Sequence, residues 1–306
     1  MSPESMLVWS KDLHWEAYLR PKTVPEAIKV LEKFKGAAKI IAGGTDVLVQ
    51  IRSGELSPRA LVDVTGIPSL DKISLEKGWV RIGALVTHAQ VAQSKLIGAR
   101  GLALKEGASW LGSPQIRNIA TVTGNLVSGQ PGADTSVPLL ALEGVVRVRN
   151  RKGERTIPLS EFFMESGKTA VDSSREMVTE ISFPALKKGE TSLSLRLARR
   201  KALALPILIV SIVLSADLGK KRFRYGRIAL GPVSPIPFRA RAAEALLANA
   251  PIEERLVHEV AERASRESSP RTSLLRGSEA YRRRMIAHLV ERGIRTGIEH
   301  LEGRNG

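Results

Sequence analysis

The sequence predicts an α+β fold with more than one core, on three observations. Short apolar stretches such as 39–42 and 60–64 read as strands, and helices with capping signals lie between them. The run V-V-R-V-R-N-R-K-G-E-R-T-I alternates Val146, Val148 and Ile157 around a turn at Arg151-Lys152-Gly153, an antiparallel hairpin. Past Lys187-Lys188-Gly189 the composition shifts, and strand-like runs give way to arginine-rich amphipathic helices. A chain of 306 residues has room for two or three such units.

Taken in order, Thr23 or Val24 opens a first helix, with Pro25 in its first turn and Glu26 near its positive end. Ala27, Ile28, Val30, Leu31 and Phe34 share one face, and Gly36 stops it. The segment K-I-I-A-G-G-T-D-V-L-V-Q-I-R then predicts a buried strand over 39–42, a tight turn at Gly43-Gly44, and a helix N-capped by Thr45. Such a turn aims free N–H groups and the positive end of a helix at an anion; the alternative is an ordinary strand-to-helix connection. Further strands are expected at 60–64 and 79–84, and Thr87 caps a helix that reaches Ser94. A single helix over 96–110 would carry Leu102, Leu104, Ala108 and Trp110 inward. Trp110 and Leu111 read more readily as core than as ligand contacts.

Residues 114–140 hold the densest set of small donors. Thr121, Thr123, Gly124 and Asn125 lack any bulky side chain, and Gly124 permits close backbone approach. From the residues alone, 121–125 is either a ligand-cradling loop after a short strand or a polar hairpin turn. Asp134 and Thr135 mark a helix start, with Asp134 either a cap or a ligand contact. After the hairpin, 161–163 is a short turn or helix, and E-M-V-T-E-I-S-F-P is a strand ended by Pro184.

Beyond residue 187, S-L-S-L-R-L-A-R-R-K is a strand with a basic end. Its Arg196, Arg199, Arg200 and Lys201 read as a solvated terminus, with an anion or partner contact as the alternative. Residues 206–216 fit a strand or a buried helix equally. A strand over 223–231 and helices over 239–248, 252–265 and 278–301 follow, with a frayed tail.

Several functions are excluded by composition. With no cysteine there is no disulfide, no thiolate metal site, no iron–sulfur ligation by this chain and no cysteine nucleophile. The five histidines form no H-x-x-x-H pair, so no metal site is expected. The net charge of +16 invites nucleic acid, but aromatics at 4% and the lack of a binding motif argue against it. No apolar run is long enough to span a membrane, and the acid-bearing N-terminus has no secretory core, so a cytoplasmic location is expected. There is no G-x-G-x-x-G, and Gly167-Lys168-Thr169 lacks the earlier glycine of a P-loop.

The pair A-G-G-T-D (42–46) and T-V-T-G-N (121–125), followed by P-G-A-D-T, resembles the FAD-binding medium subunits of the molybdenum hydroxylases. That group includes the carbon monoxide, xanthine and aryl-CoA dehydrogenases. The resemblance covers nearly the whole chain. It implies a two-lobed FAD-binding domain of the vanillyl-alcohol-oxidase/PCMH type, with lobes at 1–58 and 59–186. It also implies a C-terminal α+β domain of the CO dehydrogenase flavoprotein type, an antiparallel sheet plus helices, at 187–306.

Carried onto this sequence, the resemblance implies that Ile41, Ala42, Gly43, Gly44, Thr45, Asp46 and Val47 wrap the FAD diphosphate. Thr121, Val122, Thr123, Gly124 and Asn125 form the second cofactor loop, with Leu111, Asp134, Val178 and Arg196 as further contacts. Thr123 stands where the family usually has glycine, and Leu195 where it often has lysine. The acidic residue that often follows the Arg-Arg pair is replaced by A-L-A-L-P. The implied function is electron transfer between a small [2Fe-2S] subunit and a terminal acceptor. The large molybdopterin subunit is the other partner, in a dimer of heterotrimers. No catalytic acid or base and no metal ligand is implied. Alternatives are a stand-alone flavoenzyme of the same fold and a basic, non-catalytic binding module.

Overall fold

The computed structural model describes residues 15–200 and 203–303. The expectations for the extreme N-terminus, for Lys201 and for the last three residues lie outside these.

The first unit runs β1 (Ala17–Leu19), α1 (Val24–Lys33), β2 (Ala38–Ile41), α2 (Val47–Arg52) and β3 (Ala60–Asp63). Its three strands are parallel in the order β1-β3-β2. Thr23 caps α1 by accepting from the Glu26 amide at 3.3 Å, and Val24, Ala27, Ile28 and Leu31 bury one face of the helix.

The second unit contains β4 (Ile73–Glu76), β5 (Trp79–Gly83), α3 (His88–Gln93), α4 (Lys95–Arg100), α5 (Leu102–Trp110), α6 (Pro114–Ile119), α7 (Val122–Val127) and α8 (Ser136–Ala141). It continues through β6 (Val145–Asn150), β7 (Gly153–Pro158), α9 (Leu159–Phe162), β8 (Phe163–Glu165), β9 (Lys168–Thr169) and β10 (Met177–Pro184). The main sheet is antiparallel, β4-β5-β10-β6-β7, with β10 in its centre. The helix expected across 96–110 is two helices. Gly101 ends one and starts the other in a non-helical conformation, and a Cβ there would meet the Phe183 ring at 2.7 Å. Ser166-Gly167 forms the turn of the small β8–β9 hairpin and Lys168-Thr169 is β9, so Gly167-Lys168-Thr169 is no phosphate loop.

The third unit is β11 (Glu190–Ala198), β12 (Pro206–Asp217), β13 (Arg222–Gly231) and β14 (Phe238–Arg239), then α10 (Arg241–Leu246), α11 (Glu254–Glu267) and α12 (Glu279–Gly303). Residues 206–216 are thus a strand. They looked ambiguous because both faces are covered. Ile209 and Val213 face the second unit, while Leu208, Val210, Ile212 and Leu214 face the C-terminal helices. This sheet docks on α5, where the Ala103 amide donates to Ser192 at 3.1 Å and the Ser194 amide to Glu106 at 2.6 Å. Among the described residues, no helix is long and apolar enough to cross a membrane.

Candidate functional site

A cleft of about 920 Å³ opens between the first and second units, within the usual range of small-molecule sites. One wall is Ala42 and Gly43 with the turn after β3, which includes Thr65 and Ser69. The other is the start of α3, the end of α6 and Thr121. Asp63 shapes the β3 turn: its carboxylate accepts from the Thr65 amide at 2.9 Å and from the Tyr18 hydroxyl at 3.0 Å, and Arg20 lies 3.0 Å away. Opposite, the Val122 amide donates to the Val86 carbonyl at 3.0 Å and the His88 amide to the Ala120 carbonyl at 3.0 Å. These bonds set Thr87 beside Thr121, so two helix N-termini open side by side. Thr87 and Gln90 make a reciprocal capping box, and Thr121 caps α7 by accepting from the Gly124 amide at 2.9 Å.

The glycine loop is an amide-rich rim. Among the described residues, none of the backbone N–H groups of 43–47 donates to a protein acceptor. Gly44 holds φ at +70°, the left-handed conformation that makes successive amides converge. Among the described residues no lysine or arginine lines the cleft, and its one charged lining side chain is Asp71, so an anion there would be held by amides and neutral side chains away from that carboxylate.

Thr45 does not cap α2, contrary to expectation. The cap position falls on Asp46, in helical conformation and without a side-chain bond, which leaves the amides unfilled. The unit 121–125 is likewise neither a loop nor a hairpin turn, and no strand precedes it: Thr121 is the cap and Val122 to Asn125 the first turn of α7. Gly43 serves contact between the two walls, since a Cβ on it would lie 2.0 Å from the Ile119 carbonyl oxygen.

A second cluster lies at the junction of α7, α8 and β11. The Thr135 hydroxyl donates to Asn125 Oδ1 at 2.7 Å instead of capping α8, its expected task. Arg196 Nε stands 3.1 Å from Asp134 Oδ1, close enough for charge attraction but misaligned for a hydrogen bond. Both side chains are nearly buried, so Arg196 is not part of a solvated strand end. Register explains this: Leu195 packs toward α12, and its neighbour Arg196 points to the other face. Burial pushes the Asp134 carboxyl up to about 6, with Arg196 opposing. Thr123 Oγ1 is also buried without a partner.

The expected residues therefore fall into two groups. Ala42, Gly43 and Thr121 line the cleft; Gly44 to Val47 follow directly in the chain but are not among its lining residues, and Ile41 is buried. Asn125, Asp134 and Arg196 gather at the second junction. Val178 pairs with Val148 inside the core and does not line the cleft. Leu111 is half-buried, as is Trp110, so neither is a core residue; the Leu111 carbonyl accepts from Arg117 at 2.9 Å. Sequence reasoning missed Thr65, Ser69, Gln90, Gln93 and Asn118. The turn signal T-G-I-P-S directly after β3 could have pointed to the first two.

His88 lies beside the Thr121 backbone, fully buried and with no well-formed hydrogen bond to either ring nitrogen. Burial lowers its pKa to about 4; the Thr121 backbone opposes this and Arg117 reinforces it. The neutral ring thus contributes stability above the ordinary histidine pKa, lost as pH falls from about 6.5 to 4. The contribution is about 3 kcal/mol. Denaturant titrations of His88→Gln should show a shallower loss of stability over that window than wild type; parallel pH profiles would refute this.

A family model for the FAD binding domain in molybdopterin dehydrogenase matches residues 12–186, and one for the CO dehydrogenase flavoprotein C-terminal domain matches 194–296. The xanthine dehydrogenase FAD-binding subunit of Escherichia coli O157:H7 is 29% identical over 94% of this chain and 98% of its own length. The 6-hydroxypseudooxynicotine dehydrogenase complex subunit alpha of Paenarthrobacter nicotinovorans is 30% identical over 90% and 92%. A solved carbon monoxide dehydrogenase from Hydrogenophaga pseudoflava superposes with a TM-score of 0.88 at 29% identity, covering 94% of this chain and 98% of the matched one. The α+β architecture, the amide-rimmed cleft and these matches converge: the chain belongs to the FAD-binding flavoprotein subunits of the molybdopterin dehydrogenases, an oxidoreductase family.

Proposed function

We propose that this chain is the electron-transfer subunit of a molybdenum dehydrogenase complex, passing electrons between a small [2Fe-2S] subunit and a terminal acceptor. A large molybdopterin subunit completes the assembly, as a dimer of heterotrimers. The observation that carries the reading is the run of unengaged amides at 43–47, which starts at Gly43 on the wall opposite Thr121 in a cleft without a basic side chain among the described residues. A diphosphate suits that donor set, because converging amides neutralise its charge without the desolvation cost of buried lysines. Bound FAD supplies a carrier that takes electrons singly and releases them as a pair.

The protein's own contribution is binding and orientation. Residues 42–46 and Thr121 grip the diphosphate from opposite walls, and Thr123, Gly124 and Asn125 hold the second wall in register. Asp134, tied to Arg196, stands further along as a cofactor contact. The buried hydroxyl of Thr123 offers one more unfilled hydrogen bond. No side chain is assigned as general acid or base.

Purified with its neighbours, the protein should be yellow, bleach on reduction, and carry iron and molybdenum in the associated subunits. A colourless chain that takes up no added FAD overturns the proposal. A yellow chain that purifies alone and is bleached directly by a small substrate would make it a stand-alone flavoenzyme.

A further inference from the structure

The cleft extends well past the glycine turn. Thr87 is bridged to Thr121, and α3 runs on from Thr87 to Gln93, which also lines the cleft. A helix rises about 1.5 Å per residue, so Gln93 lies about 9 Å beyond that bridge. Beside α3, the chain after β3 brings Asp71 to the cleft, where Gln90 Nε2 reaches the Asp71 carbonyl at 3.5 Å. The cleft therefore has an amide end at Gly43 and an acidic end at Asp71.

The acidic end is firmly built. The carbonyls on either side of Asp71 are both engaged, Leu70 by the Leu85 amide at 2.7 Å and Lys72 by the Gly83 amide at 2.9 Å. A Cβ on Gly83 would lie 2.3 Å from the Leu70 carbonyl oxygen, so the turn packs against β5 without slack. The backbone around Asp71 is thus fixed. Its carboxylate is exposed and has no hydrogen bond or ion pair among the described residues. The side chains of Gln93 and Asn118 are uncommitted in the same way. Leu85 and Ile119 add apolar surface to the lining, and Ile119 is 51% exposed.

We propose that Asp71 accepts hydrogen bonds from the ribose hydroxyls of the FAD adenosine, with Gln93 and Asn118 at the edge of its base. This rests on the proposed function, in which the diphosphate sits at Gly43. A ribose diol offers two donors and no charge, which suits a fixed, unpaired carboxylate that can only accept. A carboxamide suits adenine because it donates and accepts side by side, and the flat faces of the base suit Leu85 and Ile119. The flavin half fits this end worse. Its ring gains negative charge on reduction, which a neighbouring carboxylate opposes, and no cation among the described residues lines the cleft to offset it.

The test uses the complex stripped of flavin and titrated with three ligands: FAD, FMN, and the FAD analogue built on 2′,3′-dideoxyadenosine. Binding is read by flavin fluorescence. Wild type should hold FMN and the analogue at least about tenfold more weakly than FAD, the scale of a hydrogen bond to a charged group. Asp71→Ala, at an exposed position, should fold normally and hold FAD about tenfold more weakly. It should no longer distinguish FAD from the analogue. Gln93→Ala keeps the carboxylate and should keep that distinction. Equal wild-type affinity for FAD and the analogue, undiminished discrimination in Asp71→Ala, or its loss in Gln93→Ala overturns the assignment to Asp71 and leaves the FAD reading standing. FMN held as tightly as FAD overturns the adenosine compartment. A wild-type complex that binds no flavin overturns this inference and the proposed function together.

Discussion

Gly43→Ala is expected to abolish stoichiometric FAD loading, with affinity falling at least a hundredfold and the apoprotein destabilised by about 1–3 kcal/mol. A methyl group there would sit 2.0 Å from the Ile119 carbonyl oxygen and 2.6 Å from its carbon. Those are backbone atoms at the end of α6, and they cannot swing aside as a flexible side chain would. The walls of the cleft must separate, which pulls Gly43 and the amides that follow it away from Thr121 and spoils the proposed two-sided grip. The adjacent Gly44→Ala is the control. Its φ of +70° imposes a left-handed penalty of about 1 kcal/mol, while the nearest atoms, Ile41 Cδ1 and Leu48 Cδ1, are movable at 3.2 and 3.3 Å. The flavin-to-protein ratio and the thermal midpoint of both variants check the argument. Equal losses from both, or none from Gly43→Ala, would remove the close-approach explanation.

Asp134→Asn should separate stability from cofactor binding. The folded protein holds a proton on Asp134 more tightly than the unfolded chain, the carboxyl being raised from 3.8 to about 6 by burial against the weaker pull of Arg196. Its favourable contribution is therefore complete below about 4 and is lost as pH rises through about 6. At pH 8 the ionised carboxylate costs about 3 kcal/mol relative to the neutral group. Asparagine mimics the neutral form, so the apoprotein should be more stable than wild type at pH 8 and unchanged at pH 4. FAD affinity should fall if Asp134 accepts from the cofactor as proposed. A variant less stable at pH 8 would mean that the Arg196 pairing outweighs burial. A variant with normal FAD affinity would remove Asp134 from the cofactor site.

What the sequence could reveal was decided by whether the cause is local. Thr23, Pro25 and Glu26 act within one turn, so the start of α1 was legible to the residue. The Thr87 capping box was legible for the same reason. Residues 121–125 misled because Val122, Thr123 and Gly124 are poor helix formers. Their helix is held by remote contacts, the Val86 carbonyl on the Val122 amide and Thr135 on the Asn125 side chain. Residues 206–216 concealed their period because both faces of β12 are buried. Arg196 looked solvated because a strand end gives no sign of which face a neighbouring unit covers. The cleft itself is the least local feature: Ser69, Gln93 and Asn118 become a site only when separate units meet. The two glycine motifs were readable as motifs, but that Gly43 fits against Ile119 was not.

The core of the first unit also bears on how the chain is made. Val24, Ile28, Leu31, Val62 and Ile67 share one buried cluster with a side chain from outside that unit, Met177 at the start of β10. A ribosome delivers the three parallel strands and α1 long before it delivers Met177. Until then the growing chain exposes an apolar socket with nothing to close it, and non-local closure is slow. Arrival of β10 completes two structures at once, the plug of that socket and the central strand of the five-stranded sheet. Maturation of the two halves is thereby synchronised, and a nascent chain stalled before β10 would be a substrate for chaperones and proteases.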